Sequence, residues 1–103
     1  MAQLIQSKKI SKKYALETLK EWADDDIVMV VKMGRYGVWS NNGLRPDGEN
    51  TVGCLVKAAA KKKDEYYFDD NEFVKGDKTI MEVKVGVTTS KMFYAKLIEL
   101  EII

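Results

Sequence analysis

The longest apolar run in the chain, residues 27–31, predicts its most buried strand. Five consecutive large apolar residues, four of them β-branched, are typical of a strand that is covered on both faces. The glycines that bracket residues 34–37 can supply the positive φ angles of a tight reversal. The chain then returns through Val38 and Trp39. We therefore expect a central hairpin with Arg35 and Tyr36 at its tip.

A helical spacing of apolar residues precedes this hairpin. From residue 12 to about residue 23, apolar positions recur three and four apart, as on the buried face of an amphipathic helix. Ser7 or Ser11 can cap its first turn by accepting a hydrogen bond from an unpaired N–H. Negative charge is unfavourable at a helix C-terminus, so the acidic residues 24–26 predict the end of the helix.

The same spacing returns after the clearest loop of the chain, residues 41–50. Asn42-Gly43 and the proline at position 46 are turn signals within that loop. A second helix is predicted from residue 52, with Asn50 or Thr51 as its cap. Because Gly53 lowers helix propensity, a strand over residues 52–57 is the alternative.

The C-terminal half predicts strands. Residues 65–68 form a short strand, residues 69–71 a turn, and residues 79–87 show the best alternation of the chain. The last segment, residues 92–103, is apolar on both faces and is interpreted as a buried or bulged strand. A helix through Phe93, Leu97 and Leu100 is the competing interpretation.

Together these elements predict an α+β fold. We expect a mostly antiparallel sheet of four or five strands, with the central hairpin in it and two helices packed on it. A chain of 103 residues that is 46% apolar is expected to form a single compact domain over residues 1–103.

The composition indicates the cellular compartment that we expect for the protein. No apolar run approaches the roughly 20 residues of a membrane span, and the first residues lack the apolar core of a secretory signal. The lone Cys54 has no partner for an internal disulfide, which favours a reducing compartment. We expect a cytoplasmic protein, a monomer or homodimer, with no membrane partner.

The absence of histidine is the most decisive feature of the composition. It excludes Ser-His-Asp and Cys-His nucleophile activation and His-ligated zinc, and one cysteine also excludes a structural zinc site. No glycine-rich phosphate loop or serine elbow is present. We therefore predict a protein that is not an enzyme and that has no catalytic residue, metal ion or cofactor.

The hairpin is the first candidate binding site, and the ligand that we expect is nucleic acid, single strands included. Aromatic side chains can stack on unpaired bases, while arginine and lysine contact phosphates. The net charge of +1 argues against a strongly basic binder, but the charges are clustered. The candidate nucleic-acid-binding residues are Lys32, Arg35, Tyr36, Trp39, Arg45, Lys61, Lys62 and Lys63.

Part of the hairpin sequence resembles a repeat found in other proteins. Residues 31–39, VKMGRYGVW, resemble part of the C-terminal repeat of bacterial type IA topoisomerases, which carries a Gly-Arg-Tyr/Phe-Gly turn followed by an aromatic residue. The resemblance is confined to this stretch. The cysteines and the downstream helix pattern of the repeat are missing here, so we do not assign the chain to that family.

Two other functions fit the sequence. The first is a protein-binding regulator or inhibitor that uses an exposed strand edge or the aromatic strip of residues 66–68. Either binding function would suit an accessory protein encoded by a virus or a mobile element. The second is a Mg²⁺-dependent nuclease, because Pro46-Asp47 and Glu82-Val83-Lys84 have the outline of a PD-(D/E)xK signature. The acidic run 69–72 lacks the spacing of a calcium loop and is interpreted as a solvated turn.

Overall fold

The computed structural model describes residues 10–32, 35–40, 43–45, 52–62 and 66–103. At positions 32, 35, 39, 40 and 43–45 this description covers the backbone alone. The described residues form three helices and six strands in the following order: α1 (Lys12–Asp25), β1 (Met29–Lys32), β2 (Arg35–Ser40), β3 (Gly43–Arg45), α2 (Val52–Ala59), β4 (Tyr66–Asp69), β5 (Glu72–Lys75), β6 (Lys78–Glu82) and α3 (Ser90–Glu99).

The strands pair in antiparallel order, which confirms the predicted α+β class. Within the described residues they form two three-stranded sheets, β1-β2-β3 and β4-β5-β6, instead of one continuous sheet. Two of the strand connections are hairpins with a turn at residues 70–71 and a turn at residues 76–77. Short connections of this kind join neighbouring antiparallel strands.

Helix α1 begins and ends where its sequence predicts. Ser11 is the N-cap, and its hydroxyl accepts a hydrogen bond of 3.1 Å from the N–H of Tyr14. Asp26 ends the helix in the left-handed region (φ 52°), which short polar side chains tolerate. Its N–H donates to the carbonyls of Trp22 and Ala23. The acidic run therefore marks the helix end.

The central hairpin is present, but its predicted turn is wrong. Strand β1 pairs with β2 up to Lys32 and Arg35, so the chain reverses between these two residues. Gly37 lies inside β2, opposite Val30, instead of closing the turn. The prediction that the strand of residues 27–31 is covered on both faces is also wrong, because Val28 and Val31 are 38% and 43% exposed. Of the five residues of the run, only Met29 is fully buried.

Three further assignments are decided by the structure. The segment from Val52 is a helix, so its strand alternative is wrong. The predicted loop 41–50 contains strand β3, which pairs with β2; its residues 41–42 and 46–50 lie outside the described residues. Residues 90–99 form a helix, so the strand predicted over 92–103 is wrong and its helical alternative is correct. Thr89 caps this helix, and Phe93 and Leu97 share its buried face.

The strand predicted over 79–87 is shorter than its alternation suggested. Strand β6 ends at Glu82, and residues 85–87 form a turn. Gly86 adopts a φ of 81°, which a glycine allows without strain and which breaks the extended backbone. Two residues of the predicted apolar face, Val85 and Val87, are consequently exposed.

An aromatic cluster connects the two sheets to α3. The Tyr36 ring of β2 stacks on Phe68 of β4 with centroids 4.2 Å apart. Phe68 contacts Phe73 of β5 at 5.0 Å, and Phe73 meets Phe93 of α3 edge-on at 5.1 Å. These spacings lie in the range of favourable aromatic pairs. The cluster therefore holds β1–β2 in a fixed position against the rest of the molecule.

The segment before α3 closes part of the outer edge of β1. The N–H of Met29 donates to the carbonyl of Thr88, and the N–H of Gly86 donates to the carbonyl of Met29, each at 2.9 Å. Ser90 extends this contact, because its N–H donates to the carbonyl of Ile27. The edge strand of the first sheet is thereby protected at Met29 from pairing with another chain.

Candidate nucleic-acid interface

Tyr36 does not lie at the hairpin tip, and its predicted stacking on a base is wrong for this fold. It is only 6% exposed, because its ring lies in the aromatic cluster against Phe68. Its hydroxyl donates a 2.8 Å hydrogen bond to the carbonyl of Asp70. The ring is thus occupied within the core and joins β2 to the β4–β5 turn.

The environment of Tyr36 favours the neutral phenol. Burial, followed by the nearby Asp70 carboxylate, raises the pKa of Tyr36 above its ordinary value of 10.0. The unfolded chain therefore loses this proton at a lower pH than the folded chain does. The resulting stabilisation is complete below pH 10 and is lost as the pH rises through the folded-state pKa.

A Tyr36→Phe substitution should make stability less sensitive to alkaline pH. At neutral pH we expect a loss of about 0.5–1.5 kcal/mol, because the hydrogen bond to Asp70 is removed while the ring is kept. Urea unfolding measured between about pH 8 and pH 11 should then show a shallower decline for Tyr36→Phe than for the wild type. Parallel pH profiles would contradict the assignment.

The outer face of the first sheet is defined by the alternation along β2. Tyr36 and Val38 are buried on the core side. The two-residue period of a strand assigns positions 35, 37 and 39 to the opposite face. Register then places Arg35 opposite Lys32 and Gly37 opposite Val30. We call positions 28, 30 and 32 of the β1 segment and 35, 37 and 39 of β2 the outer face.

The ends of the outer face differ in charge. Lys32 and Arg35 form the last pair of β1–β2, next to the reversal. The opposite end of β1 follows the acidic residues 24–26, of which Asp24 pairs with Lys20 at 3.2 Å. A polyanion is therefore attracted to the reversal end and repelled from the other.

The remaining candidate residues lie in other parts of the chain. Lys61 and Lys62 are exposed just after α2, where the N–H of Lys61 donates to the carbonyl of Ile102 at 2.7 Å. Arg45 ends β3, opposite Val38. Lys63 lies outside the described residues. The candidate residues thus occupy at least two places, the first sheet and the end of α2.

The aromatic strip suggested for protein binding is largely part of the core. Tyr66 is buried and Phe68 is half-buried. Tyr67 is 44% exposed, and its hydroxyl donates to the carbonyl of Gly76 at 2.8 Å. One exposed ring does not form a continuous apolar strip, so the prediction that residues 66–68 form a docking surface is wrong.

The nuclease signature does not share one strand. Glu82 ends β6 and accepts a 3.1 Å hydrogen bond from the amide of Asn71. Lys84 follows the strand and opens the next turn, so the two-residue period does not align it with Glu82. Asp47 lies outside the described residues. Among the residues that the structure describes, no cluster of three or more Cys, Asp or Glu side chains is arranged to hold a metal ion.

The Lys84–Thr88 turn is the part of the surface that the sequence interpretation missed. It lies beside β1 and exposes a lysine and two valines. Gly86 was the available signal, since a glycine within a strand pattern indicates a bulge or a break. The regular alternation of valines on either side of it favoured a continuous strand instead.

Comparisons with known proteins identified no relative of this chain. No protein-family model, no curated protein and no solved structure matches it. Among the described residues, every helix is too short or too polar to cross a membrane.

Proposed function

We propose that this protein is a small, non-catalytic module that binds single-stranded nucleic acid on the outer face of β1–β2. The observation that carries the proposal is the register of the hairpin. It sets Lys32 and Arg35 opposite each other and assigns Trp39 to the same face by the two-residue period.

This combination of residues suits a strand of unpaired nucleotides. The tryptophan provides a π-face on which any base can stack, and the basic pair provides phosphate contacts. Gly37 is buried and separates the two along β2. Positions 35 and 39 lie about 13 Å apart along the strand, so the base at Trp39 and the phosphate at Arg35 would belong to different nucleotides.

Two of the four sheet edges among the described residues, those of β1 and β6, favour this function over protein binding by strand addition. The outer edge of β1 is hydrogen-bonded at Met29 by the segment that precedes α3. Strand β6, an edge of the second sheet, begins with Lys78 and shifts register opposite Phe73 and Val74. Lysines and bulges of this kind discourage pairing with an incoming strand.

The proposal is tested by substitutions in the outer face. Arg35→Ala and Trp39→Ala should each weaken binding of a fluorescently labelled oligo-dT by about fivefold to a hundredfold, the range expected for losing one stacked or phosphate-contacting side chain. Lys78→Ala is the matched control, because it removes an exposed positive charge from the second sheet. It should leave the affinity within about twofold of the wild type.

Intrinsic fluorescence gives an independent readout. The protein has two tryptophans, and Trp22 is buried in the core. Trp39 emission should be quenched when oligonucleotide is added, and the quenching should be absent from Trp39→Phe. Equal affinities for Arg35→Ala, Trp39→Ala and Lys78→Ala would contradict the proposed face.

A further inference from the structure

Helix α3 exposes an apolar face to solvent. Its residues Phe93 and Leu97 are buried in the core, whereas Met92 and Ile98 point away from the core and are 51% and 50% exposed. Ala95 is also exposed and lies between them along the helix. Large aliphatic side chains that are grouped on one helix face are typical of a surface that binds another protein.

Two charged residues flank the apolar ones. Lys91 lies in the first turn of α3 and Glu99 in its last turn, and both are exposed. Glu99 contacts Lys96 of its own helix at 3.7 Å, but its side chain is 67% exposed and can contact a second cation. Lys91 and Glu99 both lie at the helix end that the macrodipole makes unfavourable for their charge. The stability of α3 itself therefore does not account for this arrangement.

The order of residues on this face is self-complementary. Lys91 lies four residues before Ala95 and Glu99 four residues after it, while Met92 and Ile98 lie three before and three after. When two identical helices pack antiparallel about a twofold axis, positions equally far before and after the axis lie against each other. An axis at Ala95 therefore sets lysine against glutamate and methionine against isoleucine. A parallel pair would set like charges against each other.

We propose that α3 is the interface of a homodimer, in which the α3 helices of two copies of this chain pack antiparallel and cross at Ala95. The small side chain of Ala95 allows the helix axes to approach to about 8 Å, the close end of the range for packed helices. One helix of ten residues from each chain makes a small interface, below about 1,200 Å² in total. We therefore expect a weak dimer with a dissociation constant in the micromolar range.

Sedimentation equilibrium of the whole chain tests the dimer. Between about 1 μM and about 1 mM protein, the average mass should rise from that of one chain towards that of two. Ile98→Lys should weaken the dimer at least about tenfold, because it buries a lysine against Met92 of the second copy at both ends of the interface. The control is Val31→Lys, which replaces a valine of β1 that is 43% exposed. It should leave the dissociation constant within about twofold of the wild type.

A charge exchange tests the antiparallel register. Lys91→Glu and Glu99→Lys should each weaken the dimer by about threefold to tenfold, because each sets two like-charged pairs against each other. The double variant exchanges the two charges and restores opposite pairs, so its dissociation constant should return to within about threefold of the wild type. Single variants that match the wild type, or a double variant weaker than both, would overturn the register.

Disulfide trapping locates the twofold axis. In a Cys54→Ser background, which removes the native thiol, Ala95→Cys should form a disulfide-linked dimer when diamide is added as the oxidant. The two copies of position 95 face each other within the limit of about 7 Å between Cα atoms. Glu99→Cys in the same background should not, because its two copies lie about 12 Å apart along the helices.

Two outcomes overturn the inference. One is a wild-type protein that stays monomeric at about 1 mM, which would leave the α3 face to a different partner. The other is trapping through position 99 and not through position 95. Because no nucleic acid enters these measurements, either outcome leaves the proposed function unaffected, and failure of oligonucleotide binding leaves the dimer unaffected.

Discussion

Replacing Phe73 with alanine is expected to lower the free energy of unfolding by about 3–5 kcal/mol, the usual cost of deleting a buried phenylalanine ring. The Phe73 side chain is fully buried and contacts the rings of Tyr66, Phe68 and Phe93. No single neighbouring element can close the space, because these rings come from both β4 and α3. Since small domains are stable by about 5–15 kcal/mol, Phe73→Ala should populate the unfolded state measurably.

Urea denaturation followed by circular dichroism measures this effect. Tyr67→Ala is the matched control, because Tyr67 lies on the neighbouring strand but is largely exposed. Its loss should be nearer about 1 kcal/mol. A Phe73→Ala variant no less stable than Tyr67→Ala would show that the aromatic cluster is not the centre of the core.

Replacing Ser90 with alanine should have the second largest effect, a loss of about 2–3 kcal/mol from one buried and one partly buried hydrogen bond. The Ser90 hydroxyl donates to the carbonyl of Trp22 at 2.6 Å and accepts from the N–H of Ile27 at 2.9 Å. It thereby joins the end of α1 to the start of α3. Alanine would leave the N–H of Ile27 without this acceptor in a partly buried position.

Thr89, the N-cap of α3, provides the control for Ser90→Ala. Thr89 caps α3 through a single 3.3 Å bond from the N–H of Met92, which is exposed to solvent. Thr89→Ala should therefore cost about 1 kcal/mol, less than Ser90→Ala. Thermal or urea unfolding of the two variants decides the order, and a larger loss for Thr89→Ala would contradict the role assigned to Ser90.

Local signals predicted helices α1 and α2 well. The Ser11 cap, the apolar spacing of α1 and the acidic run at its end are all short-range features, and each lies where the structure has it. Helix α2 likewise follows its apolar spacing despite Gly53, whose missing Cβ would only meet the Phe68 ring at an ordinary 3.8 Å. Propensity and local charge were sufficient in these places.

Long-range packing determines the features that local signals did not predict, namely the burial of Tyr36 and the final helix. Tyr36 lies between Gly34 and Gly37 in a turn-like sequence, yet its ring packs in the core against Phe68 and its hydroxyl donates to the carbonyl of Asp70, more than thirty residues away. The final helix was ambiguous because its apolar residues occur on both faces. Tertiary contacts of this kind override local pattern and are invisible in a single sequence.

The candidate site was predicted in part. The sequence indicated the hairpin and its basic and aromatic residues, but it placed Tyr36 on the surface. This difference depends on which residues of β1 and β2 face the core. A register shift of one residue exchanges the two faces of a strand, and the sequence alone did not define that register.

The central claim, that the outer face binds single-stranded nucleic acid, is tested most directly by a salt titration of oligo-dT binding to the wild-type protein. Each phosphate contact on a single strand contributes about −0.7 to the slope of log K against log salt concentration, so contacts from Lys32 and Arg35 predict a slope of about −1.4. Single strands should also compete better than a duplex of the same length. Absence of binding at low salt, or a slope near zero, would contradict the claim.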